Sequence, residues 1–225
     1  MEQSKNRLEI KPLLITLVCA GVLGLWAVYR ILLGPLVIKS TGSIAAPVIE
    51  TAVKCLIFIL PALALLFMQR DNAYAPAKKL FTLNRKTVLY GVGLSAAFLA
   101  IYIVKRLIEN GHFSFQFSMS FDTILTTIIF AGVTEEIFFR GWLFNTLRKR
   151  MGFIGADLIS AGVFVLSHYP IWYTNGYFSD MTFLSNSVST LVIGLLLGYV
   201  MEQSKSIWGP MFAHSMHNLI VTVLF

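Results

Sequence analysis

Two adjacent carboxylates, Glu135 and Glu136, stand in an otherwise apolar run, Phe130-Ala-Gly-Val-Thr-Glu135-Glu136-Ile-Phe-Phe-Arg140. Two further apolar runs hold histidines: Phe164-Val-Leu-Ser-His168, and Met211-Phe-Ala-His214-Ser-Met-His217-Asn218. A carboxylate and a neutral imidazole can jointly activate a water. A second imidazole and a carboxamide can donate hydrogen bonds to an oxyanion. That inventory suits hydrolysis of an amide bond without a covalent intermediate. It is also close to a metal set, since Glu135, His168 and His214 could hold zinc or another divalent ion.

Spacing sorts these residues. Glu136 and Arg140 are four apart, so they share a helix face and can pair. Glu135 lies ~100° around the helix from Glu136 and is left without a local partner, as a general base would be. Phe164 and His168 share a face, and so do His214 and Asn218. A lone histidine near a helix end is more often a packing residue, and His217, off the His214 face, is read as structural or supporting. His112 falls in a loop and is read as solvent-exposed.

The elements carrying these residues follow from composition. The chain has 225 residues, 56% of them hydrophobic and only 13% charged, with a mean hydropathy of +0.74. A soluble domain is about 25% charged. The apolar residues form continuous blocks of the length a spanning helix needs, ~20 residues, without the alternation of a membrane barrel. We therefore expect an all-α, polytopic membrane bundle of about seven helices, at roughly 12–33, 45–68, 87–107, 121–146, 153–171, 184–201 and 207–225. A re-entrant piece would make eight. The chain reads as one membrane domain, 1–225, with 121–225 as its motif-bearing core. The run from Pro12 is too long for a signal-peptide core and reads as a retained first span. Cys19 and Cys55 have no metal or disulfide spacing and read as packing residues. Gly194 and Gly198 form a small-xxx-small pair suited to close helix packing.

The net charge of +7 does not point to nucleic acid, because Lys and Arg gather in the cytoplasmic loops of membrane proteins. With the N-terminus cytoplasmic, that side receives Lys5, Arg7, Lys11, Arg70, Lys78, Lys79, Arg85, Lys86, Arg148, Lys149, Arg150 and Lys205. The other receives Arg30, Lys39, Lys105 and Arg106, with Lys54 near a span edge. In that topology Glu135 and His168 lie ~20 Å from the cytoplasmic helix ends, and His214 and Asn218 ~10–16 Å from the start of their span. Loop slack and tilt can close the gap, so the four can meet in one cavity. Ionisable groups at such depth cost ~2.5–3.5 kcal/mol each and mark function.

Other intramembrane protease designs fit poorly. The chain lacks HExxH, Gly-x-Ser-Gly, and the Gly-x-Gly-Asp with Tyr-Asp pair. Ser167 precedes His168 directly, and adjacent helical residues do not face each other. The ordered set Glu135-Glu136-x-x-x-Arg140, Phe164-x-x-x-His168 and His214-x-x-x-Asn218 instead resembles the three motifs of the CPBP family, the CAAX prenyl endopeptidases and bacteriocin-processing (Abi) enzymes. The resemblance covers residues 121–225, and the first hundred residues carry no signature. It implies peptide-bond hydrolysis within the membrane, on a peptide or lipidated-peptide substrate entering from the bilayer lipid. Glu135 and His168 would activate water, His214 and Asn218 would hold the oxyanion, and Glu136 and Arg140 would orient Glu135 and its helix. No cofactor is expected, because Asn218 is a poor zinc ligand and a good oxyanion donor; the alternative is a metal on Glu135, His168 and His214. The compact chain and short loops point to a bacterial cell membrane. Two other readings compete: a non-proteolytic bacteriocin-immunity or scaffold protein, and a proton relay or transporter, against which the lack of an internal repeat weighs.

Overall fold

The computed structural model describes residues 11–69, 72–179 and 181–225. Lys5, Arg7 and Arg70, counted above for orientation, lie outside the described residues. The described residues are mostly helical, with no strand among them. Among the described residues, seven long helices occupy the seven expected segments. Helix α1 covers 12–41 and α2 covers 43–69; the backbone between them is helical except at Gly42, whose φ of 80° and ψ of 179° turn the chain. Only glycine takes that conformation readily. A short helix, α3 (Ala77–Leu80), is followed by α4 (Arg85–Asn110). Helix α5 spans 121–148, then come α6 (Phe153–Thr174), α7 (Met181–Ser204) and α8 (Trp208–Leu224). The pieces that add to the long helices are α3 and the single turn Tyr177–Ser179; neither is long enough to span.

Helices α4 and α6, expected at 87–107 and 153–171, run longer, to 26 and 22 residues. Local chemistry extends α4: the Asn84 side chain accepts from the Thr87 amide while the Thr87 hydroxyl accepts from the Asn84 amide, and Gly111 closes the other end in the left-handed region. By length and composition, Pro12–Gln69 with its Gly42 break, Arg85–Asn110, Phe153–Thr174 and Met181–Ser204 are able to cross a membrane. Their outward residues are apolar: Ile108 is 80% exposed, Met181 74% and Ile154 72%. Such a surface has lipid as its solvent, and the chain is an integral membrane protein.

The core forms around α5. Phe138, Phe139, Trp142, Leu143 and Phe144 are buried, and Phe58, Ala62 and Leu66 of α2 and Val22, Trp26 and Tyr29 of α1 pack with them. Phe98 of α4 and Ile220, Val223 and Leu224 of α8 make a second, smaller cluster. Polar contacts tie three connections together at one end of the bundle. Asn145 accepts from the Ala75 amide (2.6 Å) and donates to its carbonyl (2.9 Å). Tyr74 and Arg148 both donate to Glu202 (2.8 and 3.1 Å). The Ile207 amide donates to the Leu80 carbonyl. Cys19 and Cys55 are both free thiols.

Candidate active site

Helix α5 is wound unevenly. The α-helical turns of Ala131–Glu136 lie between two wider, π-type stretches, Thr123–Phe130 and Ile137–Phe144. Wide turns of this kind often mark functional positions. Here they bracket the two glutamates. Gly132 brings the backbone of α5 against α8, since a Cβ there would collide with Ser215.

Glu136 and Arg140 form the expected pair, Nη1 to Oε1 at 2.7 Å, with both side chains fully buried. Arg140 also donates through Nη2 to the Gly194 carbonyl (2.8 Å) and lies over the Phe164 ring (4.6 Å). The same Oε1 of Glu136 faces Nδ1 of His214 at 2.9 Å. A carboxylate has no proton to give, so Nδ1 is the donor and Nε2 is the working edge of His214. The frame expected around Glu135 is thus built around His214. On α6, Nδ1 of His168 donates to the Phe164 carbonyl at 2.9 Å, which likewise leaves Nε2 free. The Ser167 hydroxyl donates to that same carbonyl (2.7 Å) and lies 3.4 Å from Nδ1 of His168, which carries a proton for the Phe164 carbonyl and so cannot accept one from Ser167. The Phe164 ring meets both imidazoles edge-on, at 4.7 Å from His168 and 5.7 Å from His214.

Glu135, expected to lack a partner, has one. Its Oε1 accepts from Nζ of Lys54 at 2.5 Å. Its Oε2 lies 3.9 Å from Nε2 of His214 and has no hydrogen-bond partner among the described residues. The charge count puts Lys54 near a span edge and Arg30 on the outer side; in the structure both face the interior. Arg30 pairs with Glu50 at 2.7 Å, and Trp26 lies beneath both cations, 5.8 Å from Arg30 and 5.4 Å from Lys54. These charges can stand inside apolar helices because each has an opposite charge within hydrogen-bond distance.

All four residues proposed for chemistry line one cavity of ≈ 330 Å³: Glu135, His168, His214 and Asn218. Trp26, Arg30, Glu50 and Lys54 close its other wall. A shallower cavity beside the Gly42 turn shares Ile38, Glu50 and Asp122 with it. Asn218 reaches the wall with its Nδ2 donating to the Thr127 carbonyl at 2.8 Å. His217 faces away from the cavity, against Phe98 and Tyr102 of α4. The first hundred residues, which showed no motif, therefore contribute about a third of the residues lining the cavity, among them Trp26, Arg30, Glu50 and Lys54. The available signal was charge inside apolar runs: Arg30 in the first, and Glu50 with Lys54 one turn apart in the second.

Among the described residues no three of His, Cys, Asp and Glu are grouped to hold an ion. The Lys54 ammonium already occupies one oxygen of Glu135, where it would oppose an incoming cation.

Comparison with known proteins agrees with the motifs. Residues 116–220 match the family described as "Type II CAAX prenyl endopeptidase Rce1-like". A Bacillus subtilis (strain 168) protein named as a membrane peptidase, YdiL, is 28% identical over 101 residues, 45% of this chain and 36% of that protein. CAAX prenyl protease 2 of Methanococcus maripaludis is 25% identical over 152 residues, 61% of this chain and 56% of that protein. The chain thus spans only about a third to just over half of the length of these relatives. The resemblance carried by Glu135-Glu136-x-x-x-Arg140, Phe164-x-x-x-His168 and His214-x-x-x-Asn218 is borne out over residues 116–220, where this chain matches the Rce1-like CAAX prenyl endopeptidase family.

Proposed function

We propose that the protein is an intramembrane endopeptidase that hydrolyses a peptide bond of a membrane-associated or lipidated peptide. The observation that carries this reading is the meeting of Glu135, His168, His214 and Asn218, from three helices, in one cavity. The free Oε2 of Glu135 takes one proton of a water, held also by Nε2 of His168, as the water oxygen attacks the scissile carbonyl carbon. The resulting oxyanion is held by the Asn218 amide and by Nε2 of His214. Because Nδ1 of His214 is committed to Glu136, Nε2 donates only in the imidazolium form, and two carboxylates flank that ring, at 2.9 and 3.9 Å. When the C–N bond breaks, the proton taken from water passes to the leaving amine. No step in this route needs a metal.

The same reading places the chain in a bacterial cell membrane with its N-terminus in the cytoplasm. What supports the orientation is the gathering of Arg148 and Lys205 at one end of the bundle, tied through Tyr74 and Glu202, where the Ile207 amide also holds the Leu80 carbonyl at the end of the helix that carries Lys78 and Lys79.

The test uses the purified full chain in lipid nanodiscs and a panel of synthetic membrane peptides, a farnesylated C-terminal peptide among them. Wild type is expected to cleave at least one. Glu135→Gln and His168→Ala should lose about 10²–10⁴-fold in kcat, the scale of a general base, while both stay folded in the membrane, Glu135→Gln with a lower melting temperature because it leaves Lys54 unpaired. Undiminished cleavage by Glu135→Gln would sink the proposal.

A further inference from the structure

Asn218 can serve an oxyanion only if its amide nitrogen, not its oxygen, faces the cavity. Both ends of the amide are spoken for. Nδ2 lies 2.8 Å from the Thr127 carbonyl, which can only accept. Oδ1 lies 3.1 Å from Nδ1 of His217, so that ring nitrogen must be the donor. With Nδ1 protonated, the neutral ring has a bare Nε2, which must accept. The group it meets is the Tyr102 hydroxyl of α4, at 2.8 Å. Each assignment forces the next, from a backbone carbonyl on α5 through α8 to α4.

The setting gives this chain of bonds a purpose. His217 sits edge-on against Phe98 at 5.0 Å, beside the cluster of Phe98, Ile220, Val223 and Leu224. An imidazole there gains little from packing that an apolar ring would not supply, and it must have its polar atoms satisfied. Thr127 uses one hydrogen of the Asn218 amide nitrogen, leaving the second for the cavity that Asn218 lines.

We infer that Tyr102 and His217 are positioning residues: Tyr102 fixes the ring tautomer of His217, and His217 then holds the Asn218 amide with its nitrogen toward the cavity. Neither touches substrate. This inference rests on the oxyanion role proposed for Asn218.

The test is a double-mutant cycle on the full chain in nanodiscs, with the farnesylated peptide as probe. Asn218→Ala should lower kcat about a hundredfold, the scale of a lost oxyanion donor. Tyr102→Phe removes one hydroxyl, keeps the ring, and should lower kcat about tenfold through a smaller competent population, with KM unchanged. In the Asn218→Ala background, Tyr102→Phe should have no further effect, because it acts only through Asn218. Independent losses in the two backgrounds, or full kcat for Tyr102→Phe, would overturn the inference. Full activity of Asn218→Ala is a different failure: it removes the oxyanion role and the inference with it. A readout free of turnover is the nitrogen NMR of the His217 ring. Nδ1 is expected to bear the proton in wild type, with a mixture of tautomers in Tyr102→Phe. A ring protonated at Nε2 in wild type would contradict the bond chain even if the kinetics agreed.

Discussion

At the scale of single residues, the ion pair of Lys54 and Glu135 links the two halves of the chain. Their side chains are 12% and 9% exposed, so removing one partner strands the other away from water. Lys54→Met is expected to cost about 3–5 kcal/mol, the usual penalty for breaking a buried pair, read as a lower melting temperature in detergent. Adding Glu135→Gln to that variant should recover most of the loss, since no charge is then left alone; two additive losses would mean that the pair does not form. Six of the residues proposed for the site were legible in the sequence because charged and polar groups interrupt apolar runs at helical spacing: Glu135, Glu136, Arg140, His168, His214 and Asn218. Lys54 obeyed the same rule, inside the run 45–68, but reads from the sequence only as a charge near a span edge. What joins it to Glu135 is a contact between residues 81 apart in sequence, which spacing does not encode.

Helices set the precision of the cavity. Helix α7 presents Gly194 to α6, and a Cβ there would lie 3.1 Å from that of Ala161 and 3.3 Å from both Nη2 of Arg140 and the Phe164 ring. The small-xxx-small pair thus serves close packing, and it also admits the guanidinium that holds Glu136. Gly194→Ala is expected to destabilise by about 1–3 kcal/mol through overpacking and to lower kcat, because Arg140 and Phe164 must shift. Gly93 in α4 has no neighbour within 4 Å of a built Cβ; Gly93→Ala should be neutral or stabilise by about 0.5–1 kcal/mol. Thermal melts of the two variants check both, and equal effects would argue against the packing described. The helices themselves were legible from continuous apolar runs. Their ends were less so: the first two are separated by the single residue Gly42 rather than by a loop, and α4 runs further in both directions because caps, not hydropathy, end it.

For the whole molecule, the fold folds a motif-bearing half, residues 121–225, around a cavity that α1 and α2 complete. The basic connections meet at one end, so single cysteines replacing Lys79, Lys149 and Lys205 should all be labelled from the cytoplasmic side, and one replacing His112 from the other. Labelling of the Lys79 and Lys149 sites from opposite sides would refute the orientation. The central claim is that this cavity cleaves a peptide with a water activated by Glu135. Mass spectrometry of the farnesylated and other membrane peptides, incubated with the protein in H₂¹⁸O with and without a chelator, tests it most directly. The account predicts a new C-terminus carrying one ¹⁸O, produced equally with chelator and absent with Glu135→Gln. Cleavage that persists in Glu135→Gln, or that a chelator abolishes and zinc restores, would contradict it.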